Sequence, residues 1–315
     1  MPGPNSKRVA LILSGGGAKG AFQCAVERYA REAKGYQWDI IAGVSVGALN
    51  GAMLAMGKTQ RLFEIWNTIS NDQVYTGGFN LLSVIKLFFG ARSFYGNQPL
   101  QDLLRKEFEP DKIKTDLRVG AVSLYTGEYM QFRADASHQD PDLYEAVLAS
   151  TVMPVIWTPL DFPAGPDPKY LSMVDGGVRN ISPVGDVLDP EAGEPPDELV
   201  IINCSPQEAG ILPEPPKDVL KIGLRTLDLI LNEVFINDVK EFQRLNALVQ
   251  EASSYKDADG NPIQLHHPRS GRPYKYYDCK VIDPDVHLGD TLDFSQPAVQ
   301  NSIKVGFRRA REVFG

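Results

Sequence analysis

The sequence predicts an α/β protein whose mostly parallel central sheet is covered by helices on both faces. Two observations carry that expectation. Four apolar, β-branched-rich runs, "RVALIL" (8–13), "DIIAG" (39–43), "LRVGAVSL" (117–124) and "ELVIINC" (198–204), are continuous rather than alternating, as strands buried on both sides are. Helical patterns lie between them, and strands alternating with helices build crossover units and a parallel sheet.

The elements follow in order. The first strand, 8–13, runs into "SGGGAKG" (Ser14 to Gly20), and a helix over 20–33 follows. The second strand, 39–43, runs into "GVSVG" (Gly43 to Gly47) and a helix over 47–57, with another over 60–70. Segment 81–89, "LLSVIKLFF", is apolar around most of a helix; it suits a buried core helix or a mobile cover that touches lipid through Phe88 and Phe89. A helix over 97–108, the strand 117–124 and a helix over 141–150 come next. "MVDGGV" (173–178) then has an apolar start and a turn-forming Asp-Gly-Gly. Pro/Glu-rich stretches at 189–198 and 205–217 are surface loops flanking the strand 198–204. A long amphipathic helix over about 218–250 carries Leu220, Leu224, Leu227, Ile230, Leu231, Val234 and Phe235 at helical spacing. A turn-rich connection, 256–275, leads to a last strand in "YYDCKVIDP" and a final helix, 297–314. The expected organisation is a core over 7–205 and a helix/strand extension over 206–315 packed on the same domain.

Composition excludes several function classes. The chain has 315 residues and a formal net charge of −8, without a Lys/Arg-rich run, so its surface repels nucleic acid and gains little from anionic lipid charge. Cys24, Cys204 and Cys279 match neither a disulfide framework nor a zinc site and suit small core positions in a reduced, cytoplasmic setting. No apolar run reaches the ~18–20 residues of a membrane span, so membrane contact, if it occurs, is expected to be peripheral.

The glycine loop admits more than one chemistry, because a strand, a glycine turn and a helix start form an anion site whatever the anion. Gly15, Gly17 and Gly20 satisfy G-x-G-x-x-G, and Asp39 lies near the ~20-residue spacing of a dinucleotide-binding acid. Yet Asp39 begins the second strand, where a ribose-binding acid should end it. What ends that strand is G-x-S-x-G, a sharp elbow that exposes Ser45 beside a helix N-terminus. If the first two strands are neighbours, the loop amides and the Ser45 hydroxyl meet at one edge of the sheet, and the anion becomes a transient oxyanion. A base is still required. His138, His266, His267 and His287 are the available histidines, and only His287 follows a plausible strand. Asp175, exposed at a strand end by the glycines after it, is the better candidate. A non-catalytic lipid-binding module is the remaining alternative, and the intact serine, aspartate and glycine loop argue against it.

"GGGAKG" (15–20), "GVSVG" (43–47), "ASTVMP" (149–154) and "DGG" (175–177), in this order and spacing, resemble the patatin-like phospholipase family, and the closing "GDTLDFSQPAVQNSIKVGFRRARE" is similar to the C-terminal segment of bacterial members. The resemblance implies a three-layer α/β/α fold and a Ser–Asp dyad that needs neither a histidine nor a cofactor. By position, Ser45 is then the nucleophile, Asp175 the base, and the amides of Gly15, Gly16 and Gly17 the oxyanion hole. Lys19 stands where the family more often has Arg; it keeps the charge without the planar fork, and suits lipid-phosphate contact or a surface helix start. The implied substrate is a lipid or lysolipid acyl ester.

Overall fold

In the computed structural model the described residues are 7–77, 95–163, 167–189, 193–206, 214–217, 219–268 and 271–315. Segment 81–89, with Phe88 and Phe89, lies outside them.

The central sheet is built from β1 (Val9–Leu13), β2 (Ile40–Gly43), β5 (Asp116–Ser123), β6 (Tyr129–Ala134), β8 (Glu198–Ile202) and β9 (Asp278–Ile282), in the spatial order β6-β5-β2-β1-β8-β9, with β7 (Met173–Asp175) also on β5. β3 (Thr76–Gly77) and β4 (Tyr95–Gly96) form a separate two-stranded ladder. β1 pairs in parallel with both β2 and β8, β2 with β5, and β8 with β9. β6 and β7 run antiparallel to β5.

Each strand sends alternate side chains to opposite faces, and here both faces are dry. Leu11, Leu13, Ile41, Leu117, Val119, Val200 and Ile202 face one core with α1 (Gly20–Lys34), α2 (Val46–Ala55), α3 (Thr59–Thr68), α4 (Gln98–Glu107), α5 (Leu143–Ala149) and α8 (Gln296–Phe314). Ala10, Ile12, Ile40, Ala42, Leu199 and Ile201 face a second core with α6 (Val184–Leu188) and α7 (Val219–Ser254). Two helical layers on one sheet explain why the strand sequences are apolar without interruption. On α7, Leu231 and Val234 pack on the sheet as their spacing predicts, whereas Ile230 is 56% exposed on the far side of the helix.

β6 goes beyond the strands read from the sequence. "YMQFRA" is half-buried at four of its six positions and lies on the edge beyond β5, so it lacks the apolar run that marks the central strands. β7 decides the geometry of the site. β6 occupies one edge of β5, so β2 and β7 share the other: β2 pairs with residues 116–119 and β7 with 121–123. The two strands run toward each other along that edge, and their C-terminal ends meet. Ser45 follows one end and Asp175 is the other.

Candidate active site

Ser45 has φ 57° and ψ −131°, a strained conformation for a residue with a side chain. The elbow that imposes it leaves no space at its two glycines. A Cβ on Gly43 would lie 2.2 Å from the Gly47 carbonyl oxygen, and one on Gly47 would lie 2.2 Å from that of Leu13. These contacts are with backbone, so β1, β2 and the start of α2 interlock at this turn. The Ser45 amide donates to the Ser150 hydroxyl at 2.9 Å, both buried. Ser150 belongs to "ASTVMP", and its task as an anchor for the elbow was not readable from the sequence.

Asp175 is 7% exposed and Ser45 8%. The Asp175 carboxylate accepts from the Gly177 amide at 2.8 Å, and its own amide donates to the Val152 carbonyl at 3.0 Å. Burial pushes its carboxyl up to about 7, while the nearby Ser45 hydroxyl and the Gly177 amide pull it down. A carboxylate that titrates near neutrality beside a serine hydroxyl is able to accept a proton, which a freely solvated aspartate does poorly.

The glycine loop lies against the elbow: a Cβ on Gly15 would come 3.1 Å from that of Ser45. Its amides divide into two groups. Gly15 donates to the Ile181 carbonyl at 3.2 Å, so its N–H is already committed. Among the described residues, the Gly16 and Gly17 amides make no such bond. Gly17 has φ 55° and passes so close to Thr291 that a Cβ would sit 2.2 Å from its carbonyl oxygen. A buried polar chain holds the loop from behind. Trp66 Nε1 donates to Asn50 Oδ1 (2.9 Å), Asn50 Nδ2 to Gln23 Oε1 (3.0 Å), and Gln23 Nε2 to the Ser14 carbonyl (2.8 Å).

Lys19 is buried rather than at the surface, and its ammonium lies 3.0 Å from Asp228 on α7. Asp228 also takes Arg225 at 3.2 Å and the Thr291 hydroxyl at 3.4 Å. His287 lies in the wall of the cleft, where its Nδ1 accepts from the Gly289 amide at 3.2 Å. Burial first, then the Lys19 charge, lowers its pKa. His138 is exposed on Asp140, and His266 and His267 lie in the 256–275 connection. The carboxylate that faces Ser45 is Asp175. Asp39 accepts from the Val9 amide at 2.8 Å, at the start of β1. The length of that strand, about 16 Å, separates it from the glycine loop, so the pair cannot hold one dinucleotide in the expected way.

Ser45 and Asp175 open into a cleft of about 1000 Å³, which they line with Gly15, Gly16 and Gly17 from the sheet side and Arg225, Asp228 and His287 from the other. An apolar channel of about 100 Å³ also starts at Ser45, Gly17 and Thr291 and runs between α2, α3 and α4. Among the described residues no cluster of His, Cys, Asp or Glu could hold a metal ion, and no helix is long and apolar enough to cross a membrane.

The model of the patatin-like phospholipase family matches residues 11–188, a span that contains the glycine loop, the elbow and Asp175. The chain belongs to the patatin-like phospholipase family. A cGAMP-activated phospholipase of Escherichia coli (strain TW11681) is 25% identical over 169 residues, 47% of each chain, so the match spans about half the length of that relative. The crystal structure of VipD from Legionella pneumophila is similar with a TM-score of 0.46 at 16% identity, over 98% of this chain and 66% of that one. The patatin-like match ends with α6. Asp228, His287 and Thr291 lie beyond it and come to the cleft from α7 and from the segment between β9 and α8.

Proposed function

We propose that the protein is a lipid acyl hydrolase that cleaves carboxylic esters through a Ser45–Asp175 dyad. The observation that carries this reading is the meeting of the β2 and β7 ends, which sets the buried Asp175 carboxyl, raised to about 7, beside Ser45 at its strained elbow. Asp175 accepts the Ser45 proton as Oγ bonds to the ester carbonyl carbon. The carbonyl oxygen takes up negative charge and is stabilised by the Gly16 and Gly17 amides, each good donor being worth about 3–4 kcal/mol of barrier. As the C–O bond breaks, Asp175 returns the proton to the leaving alcohol. Water, deprotonated by the same carboxylate, then attacks the acyl-enzyme and releases the fatty acid and free Ser45. The apolar channel that starts at Ser45 suits the acyl chain, and the open cleft suits the polar part of a phospholipid, a lysophospholipid or a related ester.

Ser45→Ala and Asp175→Asn should each lower kcat/KM on an acyl ester by at least about 10³-fold, whereas His287→Ala should keep most of it. A fluorophosphonate should label Ser45, and Asp175→Asn should abolish labelling. If His287→Ala proved as damaging as Asp175→Asn, the dyad would be wrong.

A further inference from the structure

The apolar channel has a far end, and a charged pair closes it. From Ser45 it follows α2 past Val46, Leu49, Ala52 and Met53 to Met56. A helix rises 1.5 Å per residue, so the lining from Val46 to Met56 spans about 15 Å, the extended length of an acyl chain of roughly a dozen carbons. Leu62 and Trp66 of α3 and Leu104 of α4 line the flanks. Two polar side chains along the way are engaged elsewhere: Asn50 with Gly20, Gln23 and Trp66, and the Thr151 hydroxyl with the Leu148 carbonyl. Trp157 Nε1, in the same lining, is buried without a hydrogen-bond partner among the described residues.

At the far end α4 closes on the start of α3. Arg61 donates to Glu107 Oε1 through Nη2 (2.7 Å) and Nε (3.1 Å), and the Lys58 ammonium donates to the Glu107 carbonyl. The Glu109 amide lies 3.1 Å from the Met56 sulfur, which holds that side chain across the end together with Phe108. The Glu107 side chain is 10% exposed and that of Arg61 41%, so the pair stands between the channel and solvent. An alkyl chain that reached it would have to displace a hydrogen-bonded ion pair without replacing its bonds.

We propose that Glu107, bridged to Arg61 and backed by Met56 and Phe108, is the end wall of an acyl ruler that makes esters of roughly a dozen carbons the preferred substrates. The inference rests on Ser45 being the nucleophile and the channel taking the acyl chain. Removing the wall should lengthen the preferred chain, and filling the channel halfway, at Ala52, should shorten it. Arg61 is open to water, so Glu107→Ala does not strand a buried cation.

The test is kcat/KM across a series of p-nitrophenyl esters from 4 to 18 carbons, each variant referred to its own 4-carbon ester, with thermal unfolding to confirm folding. The parent should rise toward roughly 12 carbons and fall beyond. Glu107→Ala, or Met56→Ala, should raise the 16- to 12-carbon ratio by about 10-fold or more, and Ala52→Leu should lower the 12- to 8-carbon ratio by a similar factor. A chain-length profile unchanged in all three folded variants would overturn the ruler while leaving the dyad standing. A parent that hydrolyses none of the esters, with Ser45 unlabelled by fluorophosphonate, would overturn the proposed function and the ruler with it.

Discussion

Asp175 is where function and stability are in direct conflict. Its pKa lies at about 7 in the folded protein against an ordinary value of 3.8, because burial penalises the charged form. As the proposed base it works only when ionised, so kcat/KM on a short ester should rise with pH through about 7 and level off above. The same shift sets a stability trend. Between pH 4 and 7 the folded state keeps a proton that the unfolded state releases, so stability falls as pH rises through that window. Asp175→Asn removes the buried charge. It should therefore be more stable than the parent at pH 8, on the order of 1–3 kcal/mol, and near parity at pH 4 in denaturant unfolding. Ser45 is under a similar tension: its φ of 57° is a strain that the interlocked glycines of the elbow maintain.

At the scale of elements, the glycine loop stays open because three helices hold it from behind. Trp66 on α3, Asn50 on α2 and Gln23 on α1 form one hydrogen-bonded chain that ends on the Ser14 and Ile202 carbonyls. None of these side chains is exposed. Trp66→Phe removes the donor to Asn50 Oδ1 and leaves that oxygen buried and unpaired, a cost of about 1–3 kcal/mol. We expect a lower Tm and a lower kcat, since the loop amides lose their backing; the pH dependence proposed for Asp175 should not move. Unchanged Tm and kcat would show that the chain is not what holds the loop.

At the scale of the whole molecule, the chain beyond the patatin-like match completes both the sheet and the cleft. β9 extends the sheet by pairing with β8, and α8 packs on α1 so closely that a Cβ on Gly306 would lie 2.7 Å from the Phe22 carbonyl oxygen. The Lys19–Asp228 pair ties the glycine loop to α7. The Lys19 side chain is 4% exposed and that of Asp228 28%, so removing the carboxylate leaves an uncompensated ammonium inside. Asp228→Ala should cost about 3–5 kcal/mol in unfolding experiments. Lys19→Met should cost much less, since Asp228 keeps Arg225 and partial solvent contact. Equal losses in the two variants would contradict this account.

By itself the sequence determined the local parts of this protein: the buried strands, the glycine loop, the elbow at Ser45 and the Asp-Gly-Gly turn. All are short-range, because each depends on a few adjacent residues whose backbone freedom or burial pattern is written in their own types. Tertiary structure alone decided how those parts meet. β2 and β7 share one edge of β5 and point at each other, a pairing across 130 residues of chain that no local pattern encodes. The same holds for the partner of Lys19, the Ser150 anchor, the prior commitment of the Gly15 amide and the end wall at Glu107. Each depends on a contact between segments distant in sequence, and a residue's type alone does not name its neighbour. β6 is faint in the sequence for a related reason: an edge strand buries only part of its surface, so its sequence carries a weaker hydrophobic signal than the strands inside the sheet.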